Sequence, residues 1–264
     1  MSAWGSTLTC PELAAVTSAG FAPVGQVLGA AVYAAGSASG ASCPGTEADP
    51  GTFVPLVEAT YQARHTAIDR MTAECAALGG HGVVAVRLSR EPYPLGGLAF
   101  TAIGTAVRAV GAVAAPPAPF TSDLCGQDFA RLIRAGWVPA GLALGLAIGG
   151  WHDDRATVRQ ARVWAGNAEM AGWTELVNRS RREARRRLEE DIRRIGAEGV
   201  VTADMEIRAR QRDCPVATGR RDHVVEVTFI GTAIARFATA DRGHAGPALA
   251  VMPLGARRHA VGVR

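Results

Sequence analysis

The residues with the widest chemical reach in this chain are its cysteines and histidines, and their spacing limits what they can do. Structural zinc favours tight pairs such as CxxC or HxxxH, and catalytic zinc favours His or carboxylate clusters with one position left open. Neither spacing occurs in the sequence. Cys10, Cys43, Cys75, Cys125 and Cys214 are odd in number and widely spread, which fits reduced thiols better than a disulfide framework. The carboxylates Asp153 and Asp154, or Glu189 to Asp191, are adjacent in sequence and point apart rather than converging as an acid and base pair would. There is no GxSxG, no P-loop and no dinucleotide fingerprint in the right context. The expectation is a protein that is not an enzyme.

An internal repeat supplies a control on these candidates. At an offset of 116, Ala19–Gly29 (AGFAPVGQVLG) lies on Ala135–Gly145 (AGWVPAGLALG). At 117, LGGHGVV lies on IGAEGVV, and at 127, "TAIGTAV" (Thr101 to Val107) lies on "TFIGTAI" (Thr228 to Ile234). Blocks in one order with small insertions between them indicate duplication. No histidine compared this way is kept: His65 faces Arg182, His81 faces Glu198, and His223 faces Gly96. Cys75 faces Ile192 and reads as a small core residue. Only Cys10 and Cys125 are approximate counterparts, with a one-residue slip, and they are the candidate metal ligands if symmetry gathers several copies around an axis.

The elements that must position these residues follow from periodicity. Each half reads as strand, helix, strand, strand. The helical stripe Leu56, Thr60, Ala63, Ala67, Met71, Cys75, Leu78 lies opposite Trp173, Val177, Ser180, Ala184, Leu188, Ile192, Ile195, and this face should pack on the sheet. Between the second set, arginines and the acids Glu183, Glu189, Glu190 and Asp191 recur at i, i+3 and i+4, as on a solvated face. The uncharged run from Ala135 to Trp151 carries five glycines and a proline and aligns with Phe21 to Gly36, so a strand buried on both faces is the better reading than a membrane span.

Those blocks resemble the YbjQ-like domain, a family labelled heavy-metal-binding. The stretch Gly166 to Val201 is similar to the family core over its whole length, and the resemblance covers nearly all of Ala19 to Arg108 and Ala135 to Phe237. It implies an α+β fold of two tandem β-α-β-β units, each an antiparallel sheet backed by one long helix (dodecin/YbjQ-like), and assembly into a pentameric ring. The expected division is 1–115, 116–240 and a flexible basic tail from 241 to 264. In the first half the pre-helix run of Gly, Ser and Pro from 34 to 52 replaces the family's short helix, expected in the second half at Ala156 to Trp164, by a flexible loop. Whole chains with two domains each cannot close a single five-domain ring, so the homo-oligomer is expected as two coaxial rings or an even-domain ring.

The repeat also singles out small residues. Gly25 and Gly29 recur as Gly141 and Gly145, and Gly104 and Thr105 as Gly231 and Thr232. All are read as packing or assembly positions, and at the glycines a missing side chain lets another backbone or a neighbouring subunit come close. No cofactor is expected, beyond a heavy-metal ion implied by the resemblance alone. All 28 basic residues are arginines, so a pI near 9.1 reflects composition bias and gives weak support for a nucleic-acid partner; none is expected. The N-terminal sequence lacks a basic, apolar leader, and a cytoplasmic location is the default expectation. The alternative is an adaptor or scaffold at the membrane or cell envelope.

Overall fold

A computed structural model describes residues 5–34, 53–94, 97–111, 117–162, 166–167, 169–214, 216 and 218–236. Nearly all of the run 34–52 and the whole of the segment 241–264, expected as a loop and a tail, lie outside the described residues. The order of elements is α1 (Cys10–Ser18), β1 (Phe21–Ala34), α2 (Val54–Ala77), β2 (Gly82–Tyr93), β3 (Gly97–Ala109), β4 (Phe120–Thr121), α3 (Gly126–Arg134), β5 (Trp137–His152), α4 (Arg155–Gln160), α5 (Ala171–Ile195), β6 (Gly199–Asp213) and β7 (Arg221–Arg236). The two sheets run β1-β3-β2-β4 and β5-β7-β6, antiparallel except for the short parallel pairing of β2 with β4. The fold is thus α+β, two β-α-β-β units in tandem. The helices α1 and α3 that precede each unit were not read from the sequence.

Two of the glycines that recur between the repeats, Gly29 and Gly145, explain how each long helix lies so close to its sheet, whereas a Cβ on Gly141 would meet only side-chain atoms at 3.9 Å. A Cβ on Gly29 would overlap the Ala67 carbonyl oxygen of α2, and one on Gly145 would overlap the Ala184 carbonyl oxygen of α5. The buried stripes of α2 (Thr60, Ala63, Ala67, Met71, Cys75) and α5 (Ser180, Ala184, Leu188) rest there, as the shared spacing predicts. Both first strands carry a bulge after their proline, between Pro23 and Gly25 and between Pro139 and Gly141. Proline has no N–H for the ladder and is tolerated at such a site. Gly104 and Gly231 lie beside bulges of the neighbouring strands, between Val84 and Arg87 and between Thr202 and Asp204. The backbone that comes close is that of the adjacent strand: a Cβ on Gly231 would stand 2.7 Å from the Val201 carbonyl oxygen.

The uncharged run is strand β5, buried from Leu142 to Ile148. No helix among the described residues is long and apolar enough to cross a membrane. Asp191 departs from the solvated face expected of it: it is 6% exposed, and its Oδ2 accepts the Leu144 N–H at 2.9 Å. Glu74 does the same for Leu28 at 2.7 Å. In both repeats a helical carboxylate therefore satisfies a donor on the free edge of the first strand, one way a sheet edge is kept from unwanted pairing.

Candidate functional site

Two structurally equivalent arms lead into the repeats. Ahead of α1, the Ser6 hydroxyl and the Thr7 N–H approach Thr105 Oγ1 at 3.1 and 2.9 Å, and the Leu8 N–H bonds Ser6 Oγ at 3.0 Å. Ahead of α3, Ser122 Oγ and the Asp123 N–H approach Thr232 Oγ1 at 3.0 and 3.1 Å, and the Leu124 N–H bonds Ser122 Oγ at 3.2 Å. Thr105 and Thr232 are fully buried. They act as anchors for these arms, on the sheet face opposite the long helix.

The second arm also reaches across to the first repeat. It adds to the outer edge of β2 through Phe120 N–H to His81 O at 3.1 Å, Ser122 N–H to Val83 O at 2.9 Å, Val86 N–H to Ser122 O at 2.9 Å and Ala85 N–H to Leu124 O at 3.1 Å. Leu124, Phe129 and Leu132 then enter one core with Val16, Val84 and Val107. Further along the joint, Phe53, the N-cap residue of α2, and Val57 within it pack on Leu146, Ile148 and Val224. The Tyr61 hydroxyl donates to Leu144 O at 3.1 Å and accepts from Leu146 N–H at 2.7 Å. Burial pushes that hydroxyl up to about 12, so it remains a donor across the neutral range. The edge of β6 that corresponds to the filled edge of β2 has no strand beside it among the described residues, and Met205 and Ile207 of β6 are exposed.

A second constellation forms at the far end of the second sheet. His152 ends β5, Asp222 begins β7 directly across from it, and Cys214 lies just after β6. One ligand atom from each lies within 4.8 Å of the other two. His152 Nδ1 and Asp222 Oδ1 are 2.8 Å apart, Arg212 Nε stands 3.4 Å from Asp222 Oδ2, and the Cys214 N–H is fixed by Arg220 O at 2.9 Å. Tetrahedral zinc holds its ligand atoms about 3.5 Å apart, so a small adjustment that opens the His152–Asp222 pair would let this donor set embrace an ion, with one position left open. An imidazole, a thiolate and a carboxylate suit zinc and similar borderline metals. The same residue types also build thiol hydrolases, but Cys214 is only 8% exposed, which shields its sulfur from a substrate.

The cysteines singled out in the sequence lie elsewhere. Cys10 is exposed at the start of α1, and Cys125 caps α3, its thiol donating to Asp128 Oδ2 at 3.3 Å. Burial raises the Cys125 thiol above its ordinary range. Glu12 lies against Gly126, so the two helices place their starts side by side and bring both cysteines to one end of the pair. Neither belongs to the three-donor cluster. That cluster escaped a search by spacing because its members are 62 and eight residues apart and meet only through the β5–β7 register and the β6–β7 connection. Asp153 and Asp154 do separate as expected: Asp154 Oδ1 caps α4 through the Thr157 N–H at 2.7 Å, while Asp153 Oδ1 meets His223 Nε2 at 3.0 Å.

The model of a family described as "Putative heavy-metal-binding" (YbjQ) matches the chain twice, over residues 23–110 and 139–236. The chain is also 36% identical over 242 residues to the encapsulin nanocompartment protein Rv1762c of Mycobacterium tuberculosis, an alignment that covers 88% of this chain and 85% of that protein.

Proposed function

The chain belongs to the YbjQ-like family in both of its halves, and from the joint between them we propose that it is a non-catalytic, self-assembling scaffold that associates with an encapsulin nanocompartment. The observation that carries the assembly is the strand-addition joint. The arm of residues 120–124 fills the edge of β2 within one chain, while the equivalent arm of residues 5–8 is held on Thr105 in the same way and the equivalent edge of β6 has no strand beside it among the described residues. Repeating the joint head to tail places the first arm of each chain on β6 of the next. Such a heterologous contact closes into a ring if its rotation permits. The nanocompartment comes from the relative's name.

The test is native mass spectrometry of the full chain beside a variant lacking residues 1–8. The full chain is expected as a closed oligomer, and the variant as a smaller species with unchanged circular dichroism. A concentration-independent monomer mass for the full chain, or full assembly of the variant, overturns the reading. Co-expression with an encapsulin shell protein and gradient sedimentation tests the association, which fails if the two migrate apart.

A second reading rests on His152, Cys214 and Asp222. These residues would hold a zinc-like divalent ion, with His152 as neutral imidazole, Asp222 as carboxylate and Cys214 as thiolate, the thiol giving up its proton on binding. Zinc titration by calorimetry should show binding with proton release, reduced at least tenfold by Cys214→Ser or His152→Ala. Uptake lost instead on Cys10→Ser with Cys125→Ser would move the site to the starts of α1 and α3 and require several copies around an axis. No saturable uptake would remove both.

A further inference from the structure

Between the repeats lies a cavity of about 450 Å³, within the size range of small-molecule sites. One side is apolar: Phe53 and Leu56 from the first turn of α2, Leu98 of β3, Ile148 of β5 and Val224 of β7. The other is built of arginines on two strands, Arg90 of β2 and Arg208, Arg210 and Arg212 of β6, around the buried Glu226 of β7. Glu226 meets Arg90 at 2.6 Å and Arg210 at 3.8 Å. Arg208 is engaged by Glu206 at 2.6 Å and Arg212 by Asp222 at 3.4 Å. Arg64, one helical turn beyond the lining residue Thr60, also faces Glu226, and its Nη1 is buried without a hydrogen-bond partner in the structure. A single carboxylate thus pairs with Arg90 and Arg210 and is felt electrostatically by Arg64. A buried guanidinium donor without an acceptor costs more than a hydrogen bond contributes. Glu226 Oε2 is likewise buried without a hydrogen-bond partner, so polar groups are left unsatisfied around a cavity whose lining carries four arginines against one carboxylate.

We propose that this inter-repeat cavity binds a small organic anion, an apolar body carrying a carboxylate, with the body against Phe53, Leu56 and Val224 and the carboxylate among Arg90, Arg208 and Arg210. The arginine fork matches a carboxylate in a bidentate way, and the apolar wall selects against bare inorganic anions. Because its walls come from both repeats, the site exists only where two repeats meet. It is independent of the metal cluster and of the assembly edge, and its test is read separately from theirs.

Calorimetry of the full chain with octanoate, octanol and inorganic phosphate decides it. Octanoate should bind once per chain, at least tenfold more tightly than octanol or phosphate. Arg208 and Arg210 are 48% and 64% exposed at their side chains, so Arg208→Gln with Arg210→Gln should fold normally and weaken octanoate at least fivefold without changing octanol. Octanol binding as tightly as octanoate, phosphate alone binding as tightly, an unchanged octanoate affinity in the double variant, or no saturable octanoate binding would each overturn the proposal.

Discussion

Tyr61 shows how one side chain can hold two repeats together. Its hydroxyl serves both an acceptor and a donor on β5 while its ring sits at the edge of the inter-repeat core. Tyr61→Phe keeps the ring and leaves Leu144 O and Leu146 N–H without that partner, so a loss of about 1–3 kcal/mol is expected in urea unfolding, with an unchanged m-value. The position opposite Tyr61 in the second repeat is Asn178, so the repeat gave no hint of this contact. The histidine, cysteine and aspartate of the candidate centre were hidden for a related reason. Each follows an unremarkable strand pattern, and only the pairing of His152 with Asp222 across β5 and β7 makes them neighbours. That register could be read from the TFIGTAI block, given the sheet order; the position of Cys214 depends on the turn and could not.

At the scale of elements, periodicity was a good guide to what touches the sheet and a poorer one to what touches strand edges. The stripes of α2 and α5 were legible because an apolar or small residue recurs every third or fourth position on the face that meets the sheet. Asp191 was not, because a carboxylate among arginines looks solvated until a free backbone donor, Leu144 N–H, is found beneath it. The helices α1 and α3 are nine residues each, too short for a persistent period. The rest of the acidic and basic face of α5 pairs as its spacing implies: Arg187 meets Glu183 at 2.8 Å and Arg185 meets Glu189 at 3.3 Å. Hydrogen bonds from Arg186, and then from Arg187, hold the Glu183 carboxyl down to about 2 from an ordinary 4.5. A depressed carboxyl contributes stability that is present above its unfolded value and lost as pH falls through the folded one. Stability should therefore decline between about pH 4.5 and about pH 2, and Glu183→Gln should flatten that limb in acid titrations followed by circular dichroism. An unchanged acid limb would show that these surface pairs are screened.

At the scale of the whole molecule, duplication places the contact between two units within one chain. The two repeats share a core through Leu124, Phe129, Val84 and Val107, and they enclose a cavity that neither repeat could form alone. If chains join through the arm of residues 5–8, every assembly holds an even number of repeats, and native masses should fall on whole-chain multiples. The two kinds of joint are not equal, since Asn178 stands where Tyr61 would be needed to copy the α2 contact. Mild urea should release intact two-repeat chains before it separates the repeats, seen as a mass drop that precedes the loss of ellipticity. Simultaneous loss of both would mean that the joints are of one strength.

The arm on β2 carries a further consequence, for how assembly proceeds in time. Joined covalently to the strand it must find, it meets β2 at an effective concentration set by a short connection, on the order of millimolar, whatever the protein concentration in the cell. The arm of residues 5–8 has no such tether to an open β6. Half of the joints in a head-to-tail ring would thus be complete when each chain has folded, and only the other half would depend on encounter. Doubling the unit in this way makes assembly respond to concentration with fewer than half as many bimolecular steps as a ring of the same size built from single repeats.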